Sequence, residues 1–139
     1  MRLERLFEVR DGELYSLGGE KVSLEGKAFP VRWSDVEAAP GEYNEDFLAR
    51  LRDELKSLEA ENSFVFIEPV FDRSGGHEDF TAAMKHCARR IKDCASVIGF
   101  EIPEAVFERR DFFIGELSAK HGHYCYFCKK EAGSGIVLC

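Results

Sequence analysis

Alternating and continuous runs of apolar residues divide the chain into predicted strands and helices. Between residues 5 and 26, alternating runs such as "LFEV" and "KVSL" are separated by "DG" and "GG", which are turn signals typical of β-hairpins. The run "AFPVRW" then predicts a strand, and "EAAPGEYN" predicts a loop. We therefore predict one domain over residues 1–139, with an N-terminal hairpin over 1–26 and β/α units over 27–139.

Apolar residues at helical spacing predict three helices after this strand. Asn44 is placed to cap the first, whose stripe contains leucines at 48, 51, 55 and 58. The stripe of the second includes Cys87 and Cys94, which we expect to be buried, reduced thiols. Pro103 suits the first turn of the third helix, and Gly122 is placed to end it.

The segments between these helices are predicted strands. "SFVFIEPVF", "SVIGFEI", "HYCYFCKK" and "GIVLC" are short and rich in apolar residues. The first is continuously apolar rather than alternating, which indicates a strand covered on both faces, as in parallel sheets. Strands that alternate with helices predict an α/β fold with a mainly parallel sheet and right-handed crossovers.

Composition and charge narrow the classes of function. The chain of 139 residues is 45% hydrophobic and 32% charged, with a net charge of −7. No basic face suits nucleic acid, and no apolar stretch approaches the roughly 20 residues that span a membrane. The charged N-terminus does not match a secretory signal. The number of cysteines is odd, at five, which fits reduced thiols in the cytoplasm. We therefore predict a cytoplasmic protein that binds neither nucleic acid nor membrane.

The candidate site follows from the parallel sheet, because ligand sites gather at the carboxyl ends of parallel strands. The residues at those predicted ends are Arg32, Trp33, Glu68, Asp72, Glu101 and Glu104. Such a set is typical of glycoside hydrolysis, in which two carboxylates flank the bond and an aromatic face stacks on sugar. Glu101 and Glu104 have a second interpretation, as the end of a strand and the favourable acidic first turn of a helix.

Two stretches resemble the clan-A glycoside hydrolases, the (β/α)₈ cellulase and β-glycosidase barrels. Residues 22–76 contain "SLEG", a strand with Arg32, then Trp33 and "GEYN", and residues 97–105, "VIGFEIPEA", are similar to the strand that carries the family's acid/base. The resemblance implies that Glu104 is the proton donor, with Glu101 and Glu68 as further catalytic carboxylates. It also implies that Arg32, Trp33, Asp72 and His77 contact the substrate.

The chain departs from that family in length. A full barrel takes about 250 residues, so the resemblance implies a half-barrel without the strand that carries the nucleophile. "FFIGELS" is similar to that strand and makes Glu116 a substitute candidate, although the same residues complete the apolar face of the third helix. Whether the chain is catalytic stays open, and the alternative is a non-catalytic scaffold. Because a half-barrel has two open strand edges, we predict a homo-oligomer.

Metal and cofactor sites have less support in the sequence. Cys125, Cys128 and Cys139, with His121 and His123 nearby, could indicate zinc. On a strand, however, Cys125 and Cys128 project to opposite faces. "SGGHED" is too short and acidic for a phosphate loop. We predict neither a metal nor a cofactor, and a carbohydrate is the expected ligand.

Overall fold

The computed structural model describes residues 3–139 of the chain. Within that range the strands are β1 (Phe7–Arg10), β2 (Glu13–Ser16), β3 (Ala28–Arg32), β4 (Glu37–Ala39), β5 (Glu42–Tyr43), β6 (Val65–Val70), β7 (Val97–Glu101), β8 (Cys125–Cys128) and β9 (Val137–Leu138). The helices are α1 (Trp33–Val36), α2 (Glu45–Ala60), α3 (His77–Arg90) and α4 (Arg110–Ser118), and a 3₁₀ helix, Glu104–Arg109, precedes α4.

The predicted N-terminal hairpin is confirmed. β1 and β2 pair antiparallel around Asp11 and Gly12, which both have positive φ, 48° and 77°. A two-residue turn with positive φ at both positions matches the twist of a hairpin, which explains the "DG" signal. The hairpin is shorter than the predicted segment 1–26, because "KVSL" contributes only one bridge, between Tyr15 and Lys21. Residues 1 and 2 of that segment lie outside the described residues.

The centre of the fold is a five-stranded parallel sheet with the order β3-β6-β7-β8-β9. This arrangement confirms the predicted parallel sheet with alternating helices. β7 and β8 approach each other very closely at Gly99, where a Cβ would lie 1.7 Å from the carbonyl oxygen of Cys125. Only glycine fits there, so this residue sets how β7 lies against β8.

The helices share one face of the sheet. Their apolar stripes and alternate strand residues form a single core that includes Leu51, Met84, Phe100 and Leu117. The Asn44 side chain accepts a hydrogen bond from Phe47 N at 3.0 Å, which confirms the predicted cap of α2. Cys87 and Cys94 are buried in the same core, as expected. There burial raises the pKa of the Cys87 thiol to about 12 and that of Cys94 to about 11.

The N-terminal hairpin covers the opposite face of the sheet. Leu14 from β2 packs there with Phe66, Ile98, Phe127 and Val137. The rings of Phe66 and Phe127 are stacked with centroids 4.4 Å apart. Burial on both faces explains why β6 and β7 are continuously apolar and do not alternate with polar residues.

Both edge strands of the sheet, β3 and β9, have features that limit pairing with a further strand. At β3, Phe66 N bonds to Lys27 O, so the polar backbone groups of Ala28, Pro30 and Arg32 face outward. Pro30 offers no N–H there, and Arg32 adds charge, two features that oppose pairing with another chain. At β9, Leu138 N donates to Gly12 O at 2.9 Å, so the hairpin turn occupies part of that edge. The predicted homo-oligomer stays a prediction.

The third predicted helix begins as the 3₁₀ helix, and α4 ends at Ser118, before Gly122. Another segment also differs from its predicted structure. "EAAPGEYN" forms a small antiparallel hairpin, β4 and β5, where we expected a loop. Gly41, with φ of 79°, provides its turn, and Glu37 Oε2 accepts the Gly41 N–H at 2.8 Å.

None of the helices in residues 3–139 is long and apolar enough to cross a membrane.

Candidate functional site

A cavity of about 540 Å³ lies at the carboxyl ends of β6, β7 and β8. Glu68 and Phe71 line it from the end of β6, and Glu101 and Glu104 from the end of β7. Lys129 and Lys130 line it from the end of β8. The parallel strands therefore bring the three predicted catalytic carboxylates to one cavity, together with two ammonium groups.

Glu101 is the most deeply placed of these carboxylates, with a side chain only 5% exposed. Burial raises the pKa of this carboxyl, since water no longer stabilises its charged form, and the Lys129 ammonium opposes that rise. The Glu68 carboxylate adds a further increase to the pKa, because two negative charges repel. The Cys139 thiol donates to Glu101 Oε1 with a sulfur-to-oxygen distance of 3.7 Å.

Lys129 connects two of the carboxylates. Its Nζ lies 2.9 Å from Glu68 Oε2 and 3.5 Å from Glu101 Oε2. The three residues project from the same sheet face for a simple reason. Glu68 and Lys129 each follow a buried phenylalanine of the core under the hairpin by two residues, and side chains alternate along a strand. Glu101 is in register with one of these phenylalanines, Phe127. The apolar layer of that face therefore ends in a row of charged groups.

Glu104 lies at the outer side of the cavity. Its side chain is 78% exposed, and Lys130 Nζ donates to Glu104 Oε1 at 2.9 Å. The same ammonium lies 3.9 Å from the centre of the Phe107 ring, which fixes it by a cation–π contact. Glu104 also occupies the first turn of the 3₁₀ helix, after Pro103. It therefore fits the interpretation as an acidic first turn, and its role as proton donor stays a prediction.

Phe71 supplies the aromatic wall of the cavity. Its ring centre lies 4.9 Å from that of Trp33 and 5.0 Å from that of Phe80, so neighbouring rings hold it in place. Phe71 is only partly buried and lines the cavity. A fixed aromatic face with one open side can pack against an apolar ligand surface.

Trp33, to which the sequence assigned that role, is 1% exposed. Its Nε1 donates to the buried Glu37 Oε1 at 2.7 Å, and Arg73 donates to the same carboxylate at 3.2 Å. The ring is thus a core element beneath Phe71 and presents no face to a ligand. The predicted sugar-stacking role of Trp33 does not fit this position.

The other predicted substrate-binding residues also lie away from the cavity. Arg32 lines a separate groove beside α2. Asp72 connects the segment after β6 to α1, because its carboxylate accepts hydrogen bonds from Ser34 N at 2.9 Å and Ser34 Oγ at 2.6 Å. His77 begins α3, and its ring meets Phe112 edge-on with centroids 5.3 Å apart. The expectation that these side chains share a site with the carboxylates is not met.

Glu116 and the cysteines have other surroundings. Glu116 lies on α4, a helix and not a nucleophile-bearing strand, and Lys85 Nζ lies 3.5 Å from its carboxylate. Cys125 packs in the hairpin-side core, whereas the Cys128 thiol donates to Ile102 O at 3.8 Å. Among residues 3–139, no three His, Cys, Asp or Glu side chains are grouped so as to hold a metal ion.

Lys129, Lys130 and Phe71 are the site residues that sequence reasoning missed. The signal for the lysines was present, since "KK" follows "CYFC" at the carboxyl end of a predicted strand. The rule that selected Glu68 selects them equally. Phe71 ends the apolar run "SFVFIEPVF", so the pattern assigns it to a strand.

The fold and the site together define an α/β protein with a parallel sheet whose strands follow chain order and a charged cavity at their carboxyl ends. No protein-family model matches the chain, and searches of the curated proteins and of the solved structures find no match either. The resemblance to clan-A glycoside hydrolases therefore stays a prediction.

Proposed function

We propose that this chain binds carbohydrate in the cavity at the carboxyl ends of β6, β7 and β8. One observation carries the proposal: carboxylates from two strands and ammonium groups from a third line a single cavity of about 540 Å³ beside the partly exposed ring of Phe71.

The lining suits a hydroxyl-rich ligand. Carboxylates accept hydrogen bonds from hydroxyl groups, and ammonium groups donate hydrogen bonds to hydroxyl oxygens. Both kinds of hydrogen bond are stronger than neutral ones because one partner is charged. Phe71, Pro69 and Ile102 form apolar walls that can pack against the C–H face of a sugar ring. The volume falls within the range of about 300 to 1,000 Å³ that is usual for small-molecule sites.

The topology supports a half-barrel interpretation as part of the same proposal. Strand order follows chain order, and the helices share one face, as they do in (β/α)₈ barrels. Doubly wound sheets instead have helices on both faces and a reversal of strand order. The predicted cytoplasmic location also belongs to this proposal, supported by five cysteines that form no disulfide.

The geometry favours binding over hydrolysis. Hydrolysis requires the scissile bond to lie between two carboxylates, but the Lys129 ammonium contacts both Glu68 and Glu101 and lies between them. Glu104, the predicted proton donor, lies at the exposed outer side of the cavity, where its carboxylate is paired with Lys130. Glu101 is the more deeply buried carboxyl, and burial raises its pKa against the opposing Lys129 ammonium.

Binding can be tested by isothermal titration calorimetry with soluble oligosaccharides of glucose, mannose, galactose or glucosamine. We expect saturable binding to at least one, and we expect Glu68→Gln to weaken it about tenfold, because a charged acceptor is lost. The matched control is Glu61→Gln, an exposed residue at the end of α2. Absence of binding across the panel, or equal losses in the two variants, contradicts the proposal.

Hydrolysis can be tested with aryl glycosides. If the protein is a binding module, wild type, Glu104→Gln and Glu101→Gln release the aryl group at the same background rate. A rate above background that falls in Glu104→Gln alone supports the role that the family resemblance implies. A fall in Glu101→Gln alone assigns proton donation to the buried carboxyl.

A further inference from the structure

The ion pairs of the cavity indicate which carbohydrates it prefers. We infer that the position of the Lys129 ammonium between Glu68 and Glu101 is a site for a ligand ammonium group, and that the cavity selects amino sugars over neutral sugars. This inference rests on the proposed function and assigns a substrate class to the same cavity.

The first support is the contrast in exposure between the partners. The Glu101 side chain is 5% exposed, whereas that of Lys129 is 69% exposed. The ammonium thus covers the carboxylates from the solvent side and is not enclosed with them. A lysine at such a position has a flexible four-carbon stem and can leave without disturbing the core.

The second support is the low cost of that departure. The pairing holds the Lys129 ammonium only weakly, because solvent competes for this exposed cation. Glu101 nevertheless needs a positive neighbour, since a buried and unpaired carboxylate is costly. A ligand ammonium that replaces Lys129 can meet this need and can also bury more of its own surface against the cavity walls.

The third support is the charge balance around the cavity. Its lining contains three glutamates and two lysines, which leaves an excess of one negative charge. Lys130 is engaged by Glu104 and the Phe107 ring, so it does not neutralise the inner carboxylates. Once Lys129 is displaced, the inner part of the cavity presents two carboxylates to the ligand.

The fourth support is the size and polarity of the cavity. At about 540 Å³ it exceeds what a simple alkylamine can fill. Apolar walls at Phe71 and Ile102 suit a ring, and Glu104 with Lys130 offers hydrogen bonds at the outer end. A sugar that carries one free amine combines these features, whereas an N-acetylated sugar carries no positive charge.

The test compares glucosamine, glucose and N-acetylglucosamine as probes by calorimetric titration at pH 7 in low salt. We expect glucosamine to bind about tenfold more tightly than the two neutral sugars, with the difference shrinking at high salt. Neutral sugars that bind as tightly as glucosamine overturn the inference and leave the proposed function intact. If the oligosaccharide panel and all three probes fail to bind, both are overturned.

A second measurement uses Lys129→Met, which removes the resident ammonium. Because the ligand no longer competes with it, we expect glucosamine to bind about threefold or more tightly than to wild type, while glucose gains nothing. Lys120→Met, an exposed residue remote from the cavity lining, is the control for the same change in net charge. A loss of glucosamine affinity in Lys129→Met makes Lys129 a ligand-binding group and overturns the inference. Lys129→Gln repeats the removal of the charge with a polar side chain. Thermal unfolding of each variant verifies that the fold is retained.

Discussion

His123 provides the most direct test of the described packing. Its ring is partly buried, both ring nitrogens lack a hydrogen-bond partner, and the ring lies 4.1 Å from that of Tyr124. Burial, with smaller contributions from the neighbouring His121 and Arg5, lowers the pKa of this imidazole from 6.5 to about 4. The folded protein therefore holds His123 neutral at pH 7.

The effect on stability follows from the direction of that shift. Since the pKa is lower in the folded than in the unfolded chain, the unfolded chain binds the proton more tightly, and stability falls as the pH drops from about 6.5 towards 4. For a shift of this size the loss between pH 8 and pH 5 is about 2 kcal/mol. Because the ring is only partly buried, solvent screening reduces the expected loss to about 1 to 2 kcal/mol.

Two substitutions separate titration from desolvation. His123→Phe removes both the titrating proton and the unpaired nitrogens, so we expect its stability at pH 7 to equal that of wild type or to exceed it by about 1 kcal/mol. The part of the stability loss between pH 8 and pH 5 that His123 causes should be absent from this variant. His123→Gln also removes the titration but keeps a buried polar group, so only the pH dependence changes. A small apolar groove of about 110 Å³ beside the ring gives room for the phenyl ring.

Urea unfolding at pH 8 and pH 5 measures the difference for each protein. Other groups also titrate, such as Glu101, whose raised pKa favours the folded state as the pH falls. They are common to all three proteins, so the comparison between variants isolates His123. If His123→Phe loses as much stability at pH 5 as wild type does, the ring is not held neutral by burial and the described packing is wrong.

Three further predictions concern the elements that position the site. Gly99→Ala places a Cβ against the Cys125 backbone and should destabilise the fold by about 3 kcal/mol or more in urea unfolding, whereas Gly115→Ala, with open space in α4, should be neutral or stabilising. Glu37→Gln removes the buried charge that accepts from Trp33 Nε1 and should cost about 2 kcal/mol, measured by the same method. Asn44→Ala removes the cap of α2 and should lower stability by about 1 kcal/mol, and an unchanged value would contradict the capping hydrogen bond.

The fold could be predicted because its signals are local and repeated. Each strand of the sheet coincides with a short apolar run, and the caps and turns at Asn44 and Gly12 use chemistry that depends on neighbouring residues only. The small hairpin β4–β5 was missed for the opposite reason. Its turn is fixed by the buried Glu37, whose hydrogen bond to Gly41 joins residues that the pattern assigns to a loop.

The candidate site could be predicted only in part. The parallel direction of β6 and β7 brings Glu68 and Glu101 together, which follows from strand order alone. The fate of Trp33 does not follow from it, because a tryptophan after a strand has the same sequence pattern whether its ring faces a ligand or the core. Its burial depends on Phe71 and Phe80, from two distant segments that pack around it.

The hairpin explains why charged groups gather where they do. In a closed barrel, the sheet face opposite the helices points to the barrel interior, which is filled by side chains from the barrel's own strands. Here β1 and β2 cover that face with Leu14 and its neighbours against Phe66 and Phe127. The next residues on the same face, Glu68 and Lys129, lie beyond this apolar layer and meet in the cavity. The charged row thus begins where the packing of the hairpin ends. Substitutions in the hairpin should therefore change the stability of the fold more than they change ligand binding in the cavity.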